Sequence, residues 1–434
     1  MLREQIRYVI RHGPILALSG LFSQLLALLV IVAYNHWGTV EGYGLYSYVM
    51  AASALVGVTS LTGMASAILV AASQNKLHVF RVASRQRVKF SLILGCPLFL
   101  LVGLGTMLWF PQRTAAGYAC LCLLPLFPFT YSFTGVYTYL NGRREFGAFA
   151  AAQVTAAFIN LLSVAVCLRV WPDLPALPPV VALTAKTIFE SGLYFALVRR
   201  DRISLLDEDK HLLSYGIKIS LTGVSGSVET HVDRFIVGLI YGFENLAMFA
   251  AGRGIVAPLK QIAQTYYQLY VPKLARKSPA EAFALSQRAL AWGLLFILPG
   301  FALIYWVVPW LYTTFLSKFG ASGAYARVFL VMVLVGVPWY FYYPFFQSQR
   351  QARRETIVRW TRFILLLALM VVFMRFYGIV GVIYAEIAVT VLMSFQSGYE
   401  ARKSRAMPPA AAGSDASPPP LSPDPADPLG PDAV

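Results

Sequence analysis

The residues with most chemical potential lie on two neighbouring apolar runs. In the first, Lys218, Thr222, Ser225, Glu229 and Asp233 recur at steps of four, three, four and four. That spacing places them on one face of an α-helix. In the second, Arg253, Lys260, Gln264 and Gln268 form another polar stripe, with Pro258 set to kink it. With a turn centred near Tyr241, Glu229 and Arg253 are each twelve residues away. Equal rise along both helices then puts them at one depth, facing one cavity as a pair. Lys260 falls near mid-membrane with no acid of the first stripe at its level, only Thr222. A cation held there without an acidic partner suits an anionic ligand. Arg253, Lys260 and Lys218 are therefore the candidate anion-binding residues, and Glu229 and Asp233 the candidates for ion or proton coupling. The plainer alternative is a structural Arg253–Glu229 pair with Lys260 snorkelling.

Other ionisable groups inside apolar runs have weaker claims. Lys186 and Glu190 are four apart on one helical face, which reads as an internal ion pair. They remain secondary cavity candidates, with Gln264 and Glu386, the last without a visible partner. Arg234 fits an interfacial anchor at least as well as a cavity role. His231 points away from Glu229 and reads as a packed or interfacial ring. The aromatic run Trp339–Tyr343 resembles a membrane-interface belt. No phosphate loop, HExxH or Ser/His/Asp set is present, so no catalytic residue is assigned. Cys96, Cys120, Cys122 and Cys167 form no CxxC or Cys/His cluster, so neither a disulfide framework nor a metal site is expected.

The elements that must carry these residues are membrane spans. Of 434 residues, 58% are hydrophobic and only 13% are charged, about half the charged fraction of a soluble domain. Twelve apolar runs are long enough to cross a bilayer: 13–34, 43–71, 88–110, 114–138, 146–169, 177–198, 214–240, 246–271, 289–313, 326–347, 357–376 and 379–399. The run near 114–138 is the one most open to merging or splitting. The connections are too short for an extramembrane domain. Residues 408–434 hold nine prolines, four aspartates and no basic residue, a composition expected to stay disordered.

The net charge of +16 is an orientation signal. Alternate connections hold clusters such as Lys76–Lys89, which includes Arg87, and Arg350–Arg362, whereas the intervening ones hold only Arg113, Arg169, Lys318, Arg327 and Arg375. The positive-inside rule places the clusters and both termini in the cytoplasm. Spread over separate segments without interleaved aromatics, these arginines do not suit nucleic acid. The charged loop 199–211 divides the runs six and six. Residues 13–46 laid on 216–249 align Gly13 with Gly216, Gly20 with Gly223 and Glu41 with Glu244, a weak sign of two lobes of like orientation. The expected division is 1–205, 206–405 and a Pro-rich tail, 406–434.

Three passages carry a family resemblance: "GTVEGYGLYSYVMAASALV" (38–56), "LLSYGIKISLTGVSGSVETHVDRFIVGLIYGFENLAMFAAGRGI" (212–255) and "YVPKLA" (270–275). They are similar to the polysaccharide-biosynthesis (Wzx-type) flippases of the multidrug/oligosaccharidyl-lipid/polysaccharide exporter superfamily. The resemblance implies an all-α membrane protein, with about twelve transmembrane helices in two six-helix lobes around a central, typically cationic cavity (a MATE-like fold). It implies movement of a polyprenyl-diphosphate-linked oligosaccharide to the outer leaflet by alternating access. That function would serve O-antigen, capsule or exopolysaccharide synthesis in a bacterial inner membrane, with no enzymatic activity. The partners are the lipid-linked glycan, membrane lipid and a glycan polymerase with its chain-length machinery. No cofactor is expected beyond H+ or Na+ for coupling. Drug-exporting members carry an acid on the first span, and this chain has none there. A cation-coupled small-molecule exporter is the first alternative, followed by a glycan polymerase or ligase and a non-transporting scaffold.

Overall fold

A computed structural model of the chain describes residues 2–203, 210–259, 274, 278–348 and 352–404. Lys260, Gln264, Gln268 and the expected tail lie outside these residues, as does the side chain of Lys218. All regular elements described are helical. In order they are α1 (Leu2–Trp37), α2 (Val40–Gly57), α3 (Met64–Ser73), α4 (His78–Phe90), α5 (Cys96–Trp109), α6 (Thr114–Leu123), α7 (Phe127–Thr130), α8 (Gly135–Gly142) and α9 (Phe146–Val170). There follow α10 (Leu177–Arg200), α11 (Lys210–Tyr241), α12 (Phe243–Gly254), α13 (Pro279–Phe315), α14 (Ser322–Val335), α15 (Val337–Ser348) and α16 (Ala352–Ser404).

Six of the described helices are long and apolar enough to cross a membrane, and up to eight if two bent pairs each count as one span. Their outward faces confirm the solvent. Leu101, Leu108 and Trp109 on α5 are 63%, 75% and 80% exposed, and Trp306 on α13 is 72% exposed. Large apolar side chains in such rows are tolerated by lipid and not by water.

Several expected single spans are broken. The run 43–71 is α2 and α3, bent by 61° where Leu61 adopts a left-handed backbone (φ 53). The run 114–138 lies within 111–142, which bends by 75° between α6 and α7. Between α4 and α5 a π-turn, Ser91–Gly95, precedes Pro97, whose missing N–H would otherwise leave the ladder one donor short. The same rule ends α12 at Gly254, four residues before Pro258, with Ile255 as the cap. Proline removes the donor for that carbonyl and its ring crowds it. In α16 the backbone departs from helical geometry at Gly378 (φ 60, ψ −138).

Breaks in lipid free carbonyls that water cannot satisfy. One side chain meets those of both bent spans. Arg87 of α4 is only 2% exposed. Its Nε donates to the Ser60 carbonyl at 3.1 Å, beside the α2–α3 bend. Its Nη2 donates to the Tyr131 carbonyl and, at 3.0 Å, to Thr134 Oγ1, at the α7–α8 break of the second bent span. Arg87 therefore does not belong with the orientation signal in which its loop cluster placed it. The planar fork of a guanidinium suits several fixed carbonyls at once.

Packing fixes which helices surround the centre. α1 lies along α9, α9 along α10, α3 along α8, and α13 along α14. α2 packs on both α11 and α12. At Gly44 a side chain would overlap the Phe243 carbonyl, so glycine is what lets α2 and the start of α12 touch. Arg113 reaches from the short turn Pro111–Arg113 to the carbonyls of Gly238 and Leu239 near the end of α11. Lys318 Nζ donates to the Gly38 carbonyl at 2.9 Å, beyond α1. These contacts join early and late parts of the chain.

Arg87→Met removes the side-chain donor of the buried Ser60 carbonyl, worth about 1–3 kcal/mol when left unsatisfied, and one of two donors to the Tyr131 carbonyl, which also accepts from Thr134 Oγ1 at 2.8 Å. Thermal unfolding in detergent should show a loss of several degrees. Arg87→Lys should recover only part of it, because a single ammonium cannot reach both carbonyls.

Candidate functional site

The site is built where α11, α12 and α16 meet. Gly242 makes the α11–α12 turn at φ 91, a left-handed backbone that favours glycine. The turn is therefore centred one residue later than the sequence spacing assumed. The level of Arg253 on α11 is then His231, two residues from both Glu229 and Asp233. The competing cation decides between them. Arg362, on the first part of α16, takes Glu229 at 2.7 Å (Nε to Oε1). Arg253 takes Asp233, in a direct Nη1–Oδ2 ion pair, and also Glu386 Oε1 at 3.3 Å. The expected Glu229–Arg253 pair is thus replaced by Glu229–Arg362 and an Asp233–Arg253–Glu386 triad. Glu386 has a partner after all.

The triad is deeply set. Asp233 is 0% exposed, and the Arg253 side chain 17%. The Arg253 guanidinium also lies 5.9 Å from the centre of the Phe329 ring, on α14. Two carboxylates on one cation leave Arg253 neutralised from behind, with one edge on a cavity.

That cavity, of about 410 Å3, is lined by Gln24 of α1, Tyr43 and Tyr46 of α2, Asn160 of α9, Arg234 of α11 and Arg253. Arg234 follows Asp233 in sequence and so points about 100° away from it round the helix. It belongs to the cavity, not to an interfacial anchor. Its Nη2 donates to His231 Nδ1 at 2.9 Å and to the Thr230 carbonyl at 3.4 Å, while buried Nε has no hydrogen-bond partner. Arg234 makes no ion pair with any described residue. Facing it, Tyr43 and Tyr46 stack at 6.3 Å, and Tyr46 Oη shares hydrogen bonds of 3.0 and 3.2 Å with the Asn160 amide. The cavity thus presents one uncompensated guanidinium, a neutralised one, phenols and an amide. That is donor-rich chemistry suited to an anion with hydroxyl-bearing neighbours.

The other sequence candidates lie elsewhere. Lys186 and Glu190 form the expected pair on α10, 3.8 Å apart, and Tyr137 Oη donates to Glu190 at 2.9 Å. Neither residue lines the cavity. Lys218, Lys260 and Gln264 cannot be joined to it, since their side chains lie outside the described residues. Of the aromatic run, Trp339 lies 5.4 Å from the Arg362 guanidinium and Phe341 is buried, so these two face protein. Sequence reasoning passed over Tyr43, Tyr46 and Asn160. Asn160 had a signal, a single amide within the apolar run 154–168. Among the described residues no three His, Cys, Asp or Glu side chains converge to hold a metal.

With this geometry in place, comparison with known proteins is informative. The polysaccharide biosynthesis protein family matches residues 9–277, more than half of the chain. The chain belongs to that family. No curated protein matches this family member in sequence. Among solved structures it is similar to an outward-facing multidrug-resistance MATE transporter of the MOP superfamily (15% identity, 91% of this chain and 95% of that one, TM-score 0.66). An inward-facing form is matched at 14% identity over 88% and 94%, with a TM-score of 0.67. A MOP superfamily transporter from Pyrococcus furiosus, described as having a binding pocket of reversed polarity, is matched at 13% identity over 91% and 95%, with a TM-score of 0.65. At these identities the likeness shows the fold. This polysaccharide biosynthesis protein has the all-helical, MATE-like membrane fold of the MOP superfamily.

Removing one partner of a buried pair costs about 3–5 kcal/mol, whereas part-exposed pairs are worth about 0–1 kcal/mol. Asp233→Asn should therefore lower thermal stability more than Glu229→Gln, whose pair is 22% exposed on each side. The double variant Asp233→Asn/Arg253→Met should recover part of the loss.

Proposed function

We propose that this chain is a flippase that carries a polyprenyl-diphosphate-linked oligosaccharide from the cytoplasmic to the outer leaflet of a bacterial inner membrane. The observation that carries the reading is Arg234, a half-buried guanidinium without a carboxylate partner among the described residues, on a cavity of hydrogen-bonding aromatic and amide groups. Family membership supplies the glycan context. In this reading the chain makes twelve spans. Two lobes, 1–205 and 206–405, rock about the cavity, and 406–434 is a cytoplasmic tail. The basic loops and both termini face the cytoplasm.

The diphosphate meets Arg234 first, and the sugar hydroxyls meet Tyr43, Tyr46 and Asn160. The polyprenyl chain stays in lipid. Arg253 joins the diphosphate when a proton on Asp233 or Glu386 weakens its hold, which would couple substrate binding to protons. Lys218 and Lys260, whose side chains lie outside the described residues, stay proposed anion-binding residues. Glu229, held by Arg362, keeps a structural role. A cation-coupled drug exporter is disfavoured because 14–37 of α1 contain no acid. A glycan polymerase and its chain-length partner would take the product.

Arg234→Ala should abolish complementation of a flippase-null strain at unchanged protein levels, and Arg234→Lys should retain part of it. Arg253→Ala should also fail. Full complementation by Arg234→Ala would remove the anion-binding reading, and changed drug accumulation on expression would favour the exporter.

A further inference from the structure

A second cavity, of about 590 Å3, lies between α13, the α14–α15 junction and the last part of α16. It shares no residue with the central one. From α16 it takes Val391, Ser394, Phe395, Gly398, Tyr399 and Arg402, at steps of three, one, three, one and three. That is one helical face. Phe283 of α13 and Tyr342 of α15 stack at 6.1 Å on its other walls. Phe395 and Tyr399 are 74% and 66% exposed, so the cavity is a groove open to the surrounding lipid. Of its wall hydroxyls, Ser394 is already used, donating to the Val335 carbonyl at 3.2 Å.

Length and charge identify the occupant. Val391 to Arg402 spans eleven residues, about 16 Å at 1.5 Å per residue. Half of a hydrocarbon core of about 30 Å is the same depth. The groove therefore runs the thickness of one leaflet, and its only formal charge, Arg402, stands at the headgroup end. Arg402 makes no ion pair with any described residue. Arg288 and Lys403 are exposed at the same end, whereas Glu281 and Glu400 do not line the groove.

We propose that this groove binds an anionic glycerophospholipid, with one acyl chain along Phe283, Tyr342 and Phe395 and the phosphate at Arg402. The site is separate from the substrate cavity and does not depend on what is transported. Glycine at 398 makes its floor. A Cβ there would meet Tyr342 at 3.5 Å, an ordinary contact, so Gly398→Leu is accommodated and fills the channel.

The test is native mass spectrometry of the full-length protein with phosphatidylglycerol or phosphatidylcholine of identical chains. Wild type should retain phosphatidylglycerol about fivefold better, as expected for one interfacial arginine. Arg402→Gln should erase that preference, and Gly398→Leu should lower retention of both lipids. If Gly398→Leu shifts the thermal midpoint, Ser394→Leu fills the groove one turn away and gives the same reading. Equal retention of the two lipids by wild type, or undiminished phosphatidylglycerol with the groove filled, would overturn the proposal. Stronger retention of a polyprenyl monophosphate than of phosphatidylglycerol would also overturn it, by naming a different occupant.

Discussion

A cation inside a bilayer must be compensated, and Arg253 is compensated twice. Its contacts with Asp233 and Glu386 tie α11, α12 and the second part of α16 together at one point. The rest of the site follows from that tie. Because Asp233 turns toward Arg253, Arg234 is rotated toward the cavity, and because Arg362 holds Glu229, no further acid is brought to it. The cavity's free charge is therefore set by how the carboxylates are shared among three arginines. With two carboxylates on one guanidinium, the triad carries one carboxylate in excess.

The same constraint acts on the backbone. Helices that bend in lipid free carbonyls, and such groups must find donors within the protein. Arg87 supplies them at the α2–α3 bend and at the α7–α8 break, and Arg113 does the same at the end of α11. Both are arginines doing what lysine could not, since a fork of fixed donors reaches several acceptors without rearrangement. Bends held by a side chain give helices that change angle together with the arginine that joins them.

Much of the fold was legible in the sequence because lipid imposes a simple rule on span length and polarity. The apolar runs and the Lys186–Glu190 pair could be read directly from spacing. The bend in the 114–138 run could be suspected. What could not be read was partner choice. A one-residue shift of the turn to Gly242 moved the level of Arg253, and Arg362 came from a segment over a hundred residues away. Arg87 was hidden among loop arginines that look alike in sequence, although its environment is the protein interior. Tyr43 and Tyr46 were visible only as part of a family-like passage, and their role depends on Asn160 from a distant helix.

The central claim is that Arg234 is the uncompensated cation of the cavity. Binding of a short polyprenyl diphosphate to the purified full-length protein, measured by titration calorimetry, tests it most directly. A charge-assisted hydrogen bond is worth about 1.5–3 kcal/mol, so Arg234→Gln should weaken binding by about tenfold or more, while Glu229→Gln should leave it unchanged. Binding of Arg234→Gln with wild-type affinity would contradict the account.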